Sequence, residues 1–563
     1  MELKSPSKAF GTAFWLGFAL VALVGVTIAA LFWIFDHPFG TNWDEARYIN
    51  NAYKDVWSFR QEGLFGLAKS ILGSDRSRPS AFRILVLPFT LPLGVSPQRL
   101  RIISFACLWL TVGLTFLAAR CIAGSAAGAF AALFLITCPI IVAPNLRFYV
   151  DYPLYLAIAG LMYFLLADWQ REQPSRWGWV GIGLALGLGA WSKPPIVLIA
   201  TPILLLTWAL SYYQITTGHT LKSLLKAVGL AIVVMSPWWV LNFSQSFAKA
   251  FRSGGYTPHS LGPKGSIETL WKWCGVFVQT MLGQTLALLT LAILLGVIVQ
   301  SLRHRVNLTS NQWAAIALGF AGSLPMLILG AFGTNHNPRL LAPALLPLAV
   351  AIGILAALTG WTTSRWLSAA AVALLGFQLT VMVSPSASDG TYQKGDAASQ
   401  NWLWGDPSVT MQRIEQWDWS QLKALCDQRQ LKDPVISYLG SHLMLNVPQI
   451  ARPWVQANEP VRIHWLWQEH KGEIDWAQVM RFVDASNVVL VAPTYIGTVL
   501  DRQSINNRHN PEFVQRLEAN PRFDKPILFT VGRFERLPLL VFLQKPGQMP
   551  NPVPADMATN PFQ

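Results

Sequence analysis

GTAFWLGFALVALVGVTIAALFWIF, residues 11–35, contains no charged side chain. An apolar stretch of this length crosses the hydrocarbon core of a bilayer, about 30 Å thick, as one α-helix. No small-residue cleavage site follows it, so we interpret it as an uncleaved transmembrane helix and not as a removable signal sequence. The stretch therefore indicates an integral membrane protein.

Ten more uncharged stretches follow it. They lie at about 102–119, 121–143, 152–167, 177–192, 194–212, 227–248, 273–302, 312–333, 340–364 and 366–384. The segment 84–97 is also apolar, but it is short and interrupted by prolines, which favours an interfacial position. Composition agrees with this interpretation, since 52% of the 563 residues are hydrophobic and only 13% are charged. We therefore predict a polytopic α-helical membrane protein with about eleven transmembrane helices.

Basic residues in the short loops orient such a protein, because cytoplasmic loops carry an excess of Lys and Arg. With eleven spans, one side of the membrane collects Lys4, Lys8, Arg171, Arg176, Lys222, Lys226, Arg303, Arg305 and Arg365. We therefore expect a cytoplasmic N-terminus. The other side then collects the segments 36–101, 144–151, 249–272 and 334–339, together with everything after residue 384.

The chain divides into three predicted parts. Residues 1–384 form the transmembrane domain, and 36–101 is its first extracytoplasmic loop. Residues 385–545 predict a soluble extracytoplasmic α/β domain, since VISYLG and SNVVLVAP are typical of strands and PEFVQRLEAN is typical of a helix. The tail at 546–563 is rich in proline and predicts no regular structure.

The net charge of +14 limits the possible partners. Residues 385–563 hold 17 Lys and Arg against 18 Asp and Glu, so the membrane part carries the whole surplus. A basic surplus around apolar helices suits anionic lipid head groups or a phosphate-bearing substrate, and nucleic acid is not expected. The five cysteines show no paired spacing, so neither a disulfide framework nor a zinc site is predicted.

The sequence GTNWDEARYINNAY at 40–53 places acidic residues just after the first span. Asp44 and Tyr48 are four residues apart and share a helix face, whereas Asp44 and Glu45 point about 100° apart and cannot both face one site. Asp151 abuts the fourth span at the same level. A helix cap, with proline at the second helical position, is an equally simple role for that aspartate.

Basic residues next to or near proline recur on the same side. They are Arg78 in DRSRPSAFR, Lys193 in AWSKPPIVL and Arg339 in TNHNPRLLAP, with Arg83 and Arg147 as weaker candidates. Lone basic residues there usually extend to lipid head groups, but several on the carboxylate side favour a bound phosphate, which Arg and Lys hold by charge-assisted hydrogen bonds.

Tyr48, Tyr149 and His336 are candidate substrate contacts. No second histidine lies near His336, and nothing in the sequence has metal-binding spacing. The sequence therefore requires no cofactor, and a divalent metal has no support.

The order of these motifs resembles the bacterial relatives of the dolichyl-phosphate-mannose protein mannosyltransferases, which include the lipid A aminoarabinose transferases. The shared features, over roughly residues 10–385, are DE..Y after the first span, a basic-Pro step, GLALGLGAWSKPP, SPWWVLN and NPRLLAPALLP. The resemblance implies the glycosyltransferase C fold and transfer of a sugar from a polyprenyl-phosphate donor to an acceptor outside the bacterial inner, or plasma, membrane.

The resemblance also assigns roles. Asp44 matches the catalytic base, Asp151 matches a second carboxylate of the site, and Glu45 is a further catalytic candidate beside Asp44. Arg78, Lys193 and Arg339 fall where basic residues hold the donor phosphate. The donor sugar and the acceptor, whether lipid, glycan or protein, stay open.

Two other functions remain as alternatives. A transporter or lipid-linked-sugar flippase usually needs ionisable residues near the bilayer midplane, and the predicted spans contain none. A receptor or assembly scaffold would use the outer domain, but eleven spans exceed what an anchor needs. A glycosyltransferase accounts for more of the motifs than either alternative does.

Overall fold

The computed structural model describes residues 6–40, 42–169, 175–216, 219–254, 260–303, 308–383, 416–440, 444–466, 474–492, 509–533, 537–548 and 551. Residues 385–415 of the predicted soluble domain, and most of the predicted tail, lie outside the described residues.

The described residues before position 384 form sixteen α-helices. Their bounds are α1 Pro6–Asp36, α2 Trp43–Gly73, α3 Ala81–Leu93, α4 Pro97–Ala123, α5 Ser125–Ile136, α6 Pro139–Asn145, α7 Tyr152–Asp168, α8 Arg176–Ala190, α9 Ile196–Tyr212, α10 Leu221–Gly254, α11 Ile267–Val276, α12 Gln284–Leu302, α13 Ser310–Phe332, α14 Pro338–Leu341, α15 Leu345–Leu358 and α16 Arg365–Val383. A π-helical segment, Phe277–Leu282, follows α11, and a 3-10 turn, Ala342–Ala344, joins α14 to α15.

Seven helical segments of the described chain are long and apolar enough to cross a membrane, and an eighth exists if the bent pair α5 and α6 counts as one span. Four shorter apolar helices, α3, α7, most of α8 and α9, accompany them. In the described residues each stretch predicted to span is mostly helical, but length and composition alone do not establish the predicted count of eleven.

Two predicted spans are not single continuous helices, and a glycine accounts for the first of these interruptions. In 273–302 the chain turns at Gly283, whose φ of 78° is a conformation that favours glycine. In 121–143 the helices α5 and α6 bend by 67°. Pro139 opens α6, where the missing N–H of proline costs no helical hydrogen bond.

The helices pack around one large apolar core that includes much of α5, α7 and α15. Hydrogen bonds join the start of α2 and the loops before α3, α7, α9 and α14 to one another. These are the loops that the sequence assigns to the outward side. They therefore meet at one end of the helix bundle.

Helix α2 folds back on itself at Gly63, where φ is 62° and ψ is −147°. The two halves approach so closely that a Cβ atom at Gly66 would lie 2.4 Å from the Ser58 carbonyl oxygen. Glycine at position 63 supplies the turn and glycine at position 66 allows the close approach. The segment after α1 is therefore a tight helical hairpin.

The C-terminal region is an α/β domain, as predicted. Its elements are α17 Ser420–Gln428, β1 Val435–Leu439, α18 Val447–Ala457, β2 Arg462–Trp465, α19 Trp476–Asp484, β3 Val488–Val491, α20 Asn510–Glu518, β4 Ile527–Val531 and β5 Leu537–Leu543. The strand order is β2-β1-β3-β5-β4, with β1 parallel to β2 and β3, and β5 antiparallel to β3 and β4. One apolar cluster includes residues of α17 and α18, and another includes residues of α19 and α20. The interior strand β1 is buried along its length, as parallel strands covered on both faces are.

This domain docks on the chain segment that leads into α2. The Gln449 Nε2 atom on α18 donates to the Gly40 carbonyl at 2.7 Å, and Asn50 Nδ2 on α2 donates to the Pro448 carbonyl at 2.8 Å. Further hydrogen bonds join Gln456 to Tyr53, Gln416 to Phe39 and Arg533 to Asp36. Helix α2 therefore lies between the bundle and the C-terminal domain and is hydrogen-bonded to both.

Candidate active site

Five charged side chains from five separate segments of the chain meet at the end of the bundle. We call them the charge cluster, and its members are Asp44, Arg78, Asp151, Lys193 and Arg339. Arg78 Nη2 lies 3.3 Å from one carboxylate oxygen of Asp44, and Arg339 Nη1 lies 3.4 Å from the other. Arg339 also donates to Asp151 from Nε at 2.7 Å, and Lys193 Nζ donates to the second oxygen of Asp151. Arg339 therefore bridges the two carboxylates.

Asp44 is held at the N-terminus of α2 by a local cap. The Asn42 side chain accepts a hydrogen bond from the Glu45 amide at 3.0 Å, and it donates from Nδ2 to the Tyr149 hydroxyl. An Asn cap satisfies backbone donors that a helix leaves open, and the helix dipole favours negative charge in the first turn. The cap thus fixes Asp44 and stabilises its carboxylate form.

The basic residues of the cluster are positioned by turns that the sequence specifies. Arg78 and Lys193 lie on loops joined by two contacts, from Trp191 Nε1 to Ser80 Oγ at 3.1 Å and from the Ala81 amide to the Trp191 carbonyl at 3.1 Å. For Arg339, the Asn337 side chain caps α14 and proline occupies the first helical position.

Asp151 precedes α7 but makes no capping hydrogen bond with its side chain. The alternative of a helix cap is therefore wrong for this residue, although Pro153 does occupy the second helical position. Its carboxylate is bonded to Lys193 and Arg339 and is only 1% exposed. Asp44, by contrast, keeps 38% of its side chain exposed.

The cluster cations determine the electrostatics of both carboxylates. Burial acts to raise the pKa of Asp44, but the positive charges of Arg339 and Arg78 outweigh it and hold that pKa below its ordinary value. The pKa of Asp151 is lowered in the same way, against its burial, by Arg339 and Lys193. Both carboxylates are therefore ionised at neutral pH.

Two predicted site residues are sealed in separate ion pairs. Glu45 is fully buried and accepts two hydrogen bonds from Arg101, at 2.8 and 2.9 Å, and a third from the Phe148 amide at 3.0 Å. Arg83 is 1% exposed and pairs with Asp55 through both of its carboxylate oxygens. We call Glu45–Arg101 and Asp55–Arg83 the sealed pairs. Neither pair is open to a ligand as the charge cluster is.

The two candidate tyrosines line the cluster. The guanidinium of Arg339 lies 3.7 Å from the centre of the Tyr149 ring, and that of Arg78 lies 5.5 Å from the centre of the Tyr48 ring. Such cation–π contacts hold a guanidinium in place without using its N–H donors. His336 makes a different contact, because its Nδ1 atom accepts a hydrogen bond from the Leu261 amide at 3.4 Å.

The partners of Glu45, Arg83 and Arg78 could not be predicted from the sequence. Arg101, Asp55 and Asp75, which pairs with Arg78 at 3.6 Å, were not identified, because ion-pair partners distant in sequence leave no local signal. Asn42 did have a signal, since Asn followed three residues later by Glu is a known start of a helix.

In the part of the chain that is described, no group of three His, Cys, Asp or Glu side chains could hold a metal ion.

The cluster has the parts that sugar transfer from a phosphate ester needs. An ionised and partly exposed carboxylate can accept a proton, and adjacent cations can neutralise charge on a departing phosphate.

Comparison with known proteins gives the fold. Residues 79–241, less than a third of the chain, match the family model described as dolichyl-phosphate-mannose-protein mannosyltransferase. No curated protein matches the chain in sequence. The crystal structure of ArnT from Cupriavidus metallidurans bound to undecaprenyl phosphate is similar with a TM-score of 0.54 and 14% identity, covering 94% of this chain and 98% of ArnT. The chain has the glycosyltransferase C fold. It is accordingly a multi-pass membrane protein.

Two other structures are similar at TM-scores under 0.5 and add no weight to this assignment. AglB from Archaeoglobus fulgidus, in complex with an inhibitory peptide and a dolichol-phosphate, has a TM-score of 0.47 and 12% identity, covering 85% of this chain and 69% of AglB. The arabinofuranosyltransferase AftD from Mycobacteria has a TM-score of 0.46 and 12% identity, covering 93% of this chain and 40% of AftD.

The C fold and the family match confirm the resemblance drawn from the motifs. The matched residues include Asp151 and Lys193 of the charge cluster. Asp44, Arg78 and Arg339 lie outside them. The roles of individual residues therefore depend on the geometry of the cluster.

Proposed function

We propose that this protein is a membrane glycosyltransferase that moves a sugar from a polyprenyl-phosphate donor to a hydroxyl or amine of an acceptor. The observation that carries the proposal is the charge cluster, in which a partly exposed carboxylate lies between two guanidinium groups. The C fold supports it, and so does the undecaprenyl phosphate bound in the ArnT structure. A donor with a long lipid tail also accounts for a site at the membrane edge.

In the proposed reaction Asp44 is the general base. The acceptor oxygen or nitrogen attacks the anomeric carbon of the donor sugar and transfers its proton to the Asp44 carboxylate. The bond between the anomeric carbon and the phosphate oxygen breaks, and polyprenyl phosphate leaves with the electron pair. A positioned base contributes roughly 10²- to 10⁴-fold in rate.

Arg78, Arg339 and Lys193 neutralise the charge that grows on the departing phosphate. Their side chains are 17%, 20% and 15% exposed, so none of the three is sealed from a ligand as Arg83 and Arg101 are. An Arg side chain has five N–H donors, so Arg78 and Arg339 can hold a carboxylate and a phosphate together. Asp151 acts on this site through the two cations that it positions, Arg339 and Lys193.

For Glu45 and Arg83 we propose positioning roles in place of the catalytic and phosphate-binding roles inferred from sequence. Both are buried and both use their charged groups within the sealed pairs. Tyr48 and Tyr149 hold the guanidinium groups of the charge cluster. His336 stays a candidate polar contact.

The test is release of polyprenyl phosphate from a panel of polyprenyl-phosphate sugars by the purified full-length protein, with crude envelope lipid and protein as acceptors. Wild type should release the carrier and the Asp44→Asn variant should lose roughly 10²- to 10⁴-fold in kcat/KM. Glu268→Gln is the control, since it removes an exposed carboxylate in the first turn of α11, within the segment 249–272 that is predicted to lie on the same side.

Each other outcome has a defined meaning. Equal release by wild type and Asp44→Asn, with both proteins folded, would remove Asp44 as the base and leave the transferase. No release by folded wild type across the whole panel would favour the transporter or scaffold.

We further propose that the cluster and the C-terminal domain lie outside the bacterial inner membrane, with the N-terminus in the cytoplasm. The loops that form the cluster follow alternate predicted spans, which supports a common side. Exposed Lys432→Cys, in a Cys274→Ser background, should react with an impermeant thiol reagent on intact cells. Lys222→Cys should react only after lysis, and the opposite pattern would invert the topology.

A further inference from the structure

A second basic site lies on α2, apart from the charge cluster. A cavity of about 400 Å³ opens between the two halves of the α2 hairpin and the end of α18 in the C-terminal domain. Its lining includes three cations and one carboxylate, and most of the other lining groups are polar. The charged members are Lys54, Lys69, Arg76 and Glu62, and Asn458 is the contribution of the C-terminal domain.

The inner wall of this cavity is fixed by buried contacts. Ser70, which lines it, donates to Asp55 at 2.7 Å, and Asp55 holds Arg83 in a sealed pair. Next to the cavity, the Gln456 side chain of α18 donates to the Tyr53 hydroxyl at 3.0 Å. The cavity is therefore built by the two halves of the α2 hairpin and by docking of the C-terminal domain.

The electrostatics of the cavity favour an anion. Lys54 is half-buried, and burial together with the nearby positive charges of Arg83 and Arg47 lowers its pKa to about 7. A bound anion would stabilise the charged form of this amine. Seryl and amide groups around it supply neutral hydrogen bonds of the kind that phosphate and carbohydrate groups accept.

The distance to Asp44 distinguishes this anion from the donor phosphate. Lys54 follows Asp44 by ten residues on the straight first half of α2, which corresponds to roughly 15 Å along the helix. The donor phosphate is bonded directly to the sugar carbon under attack and must lie next to Asp44. An anion beside Lys54 therefore belongs to another molecule or to a distant part of the acceptor.

We propose that this cavity binds an anionic group of the acceptor, a phosphate or a carboxylate, about 15 Å from the atom that receives the sugar. This inference rests on the proposed transferase function. It assigns the acceptor to a class of large anionic molecules whose attacking hydroxyl or amine lies far from the charge.

The first test uses Lys54 itself as the reporter. Full-length protein in nanodiscs of neutral phosphatidylcholine is treated briefly with an amine-acetylating reagent near pH 7, and acetylation of each lysine is measured by mass spectrometry. Inorganic phosphate should slow acetylation of Lys54, because a bound anion keeps its amine protonated. Exposed Lys264 is the control in the same molecule, and the Arg76→Gln variant should lose the protection. Unchanged acetylation of Lys54 would overturn the anion site.

A second arm separates the sources of the anion. Nanodiscs that contain phosphatidylglycerol should give no protection without added phosphate, whereas the anionic fraction of an envelope extract should protect in neutral nanodiscs. Protection by phosphatidylglycerol alone would assign the cavity to a membrane lipid head group and would overturn its role in acceptor binding.

Steady-state kinetics distinguish a failure of the acceptor site from a failure of the proposed transferase function. Lys54→Gln should raise KM for the anionic acceptor about tenfold and leave KM for the donor within twofold, and Lys264→Gln should change neither. Normal transfer with unchanged acceptor KM in Lys54→Gln would remove the acceptor site and keep the transferase. Protection of Lys54 without any transfer by wild type would remove the transferase and keep an anion site.

Discussion

The charge cluster and the sealed pairs contain the same chemical groups in different environments. Both consist of Asp or Glu bonded to Arg or Lys, and both include residues of α2. In the sealed pairs every charged side chain is at most 1% exposed. In the charge cluster the cations are 15–20% exposed and Asp44 is 38% exposed, and only Asp151, at 1%, is as buried as the sealed pairs. Residues adjacent in sequence, Asp44 and Glu45, belong to different groups.

This difference separates positioning from reaction. A fully buried ion pair has no room for a ligand, and removing one partner leaves an uncompensated charge. A partly exposed pair costs less to break and can exchange a partner for a substrate group. We therefore expect substitutions in the sealed pairs to act on stability first, and substitutions in the charge cluster to act on catalysis first.

The largest effect on stability should come from Arg101. It pairs with Glu45 and also donates to the Phe39 carbonyl at 2.6 Å, so it ties α4 to the start of α2 and to the segment before it. Arg101→Met should destabilise the protein by about 3–5 kcal/mol, because Glu45 would stay buried and charged without a partner. The midpoint of thermal unfolding in detergent measures this loss.

A double variant provides the matched control. Glu45→Met combined with Arg101→Met removes both charges and should be less destabilised than Arg101→Met alone, because two apolar groups can replace a buried pair. Equal or greater loss in the double variant would show that the pair does more than satisfy its own charges.

Sequence indicated much of the fold and much of the cluster for identifiable reasons. Uncharged runs mark spans because a charge in hydrocarbon costs so much, and the buried strand β3, Val488–Val491, is a continuous apolar run in the sequence. Arg78 and Arg339 could be recognised because basic residues beside prolines at helix ends stand out against an apolar background, and Asp44 because it is an acid just after the first apolar run.

What sequence could not supply was the choice of partner. Glu45 looks like Asp44 in the motif, and Arg83 looks like Arg78. Only the folded chain brings Arg101 to Glu45 and Asp55 to Arg83. These partners are 56 and 28 residues away.

The next effect in size concerns Arg339, which bridges Asp44 and Asp151. Arg339→Ala should raise KM for the donor roughly 10- to 100-fold, since a charged hydrogen bond contributes about 1.5–3 kcal/mol. Thermal stability should fall less than in Arg101→Met, because the side chain is partly exposed. A donor KM within twofold of wild type would remove Arg339 from the phosphate site.

The same variant tests the electrostatics of the base. Among the cations near Asp44, Arg339 does most to lower its pKa, so its loss raises that pKa. In wild type the acid limb of kcat/KM should lie below the ordinary range of an aspartate, and in Arg339→Ala it should move to higher pH. Arg339→Lys keeps a charge and should move the limb less. An acid limb that stays in place in both variants would show that Asp44 is not the titrating base.

The smallest effect compares two glutamines of α18 that both bond to the segment carrying Asp44. Gln449 is 1% exposed and donates to the Gly40 carbonyl, whereas the exposed Gln456 donates to Tyr53. Gln449→Ala leaves a buried carbonyl without this donor, so we expect a loss of about 1 kcal/mol in stability together with a lower kcat. Gln456→Ala should stay within about 0.5 kcal/mol of wild type.

Gly40→Ala tests the same contact from the other side. A Cβ atom at residue 40 would lie 3.1 Å from Gln449 Nε2 and 3.2 Å from the Cα atom of Ala46, so α18 or the start of α2 must move. If docking of the C-terminal domain holds Asp44 in place, Gly40→Ala and Gln449→Ala should lower kcat alike, and combining them should add little because they disturb one contact. Additive losses would mean that Gly40 matters for α2 alone. The domain would then contribute to acceptor binding but not to the position of the base.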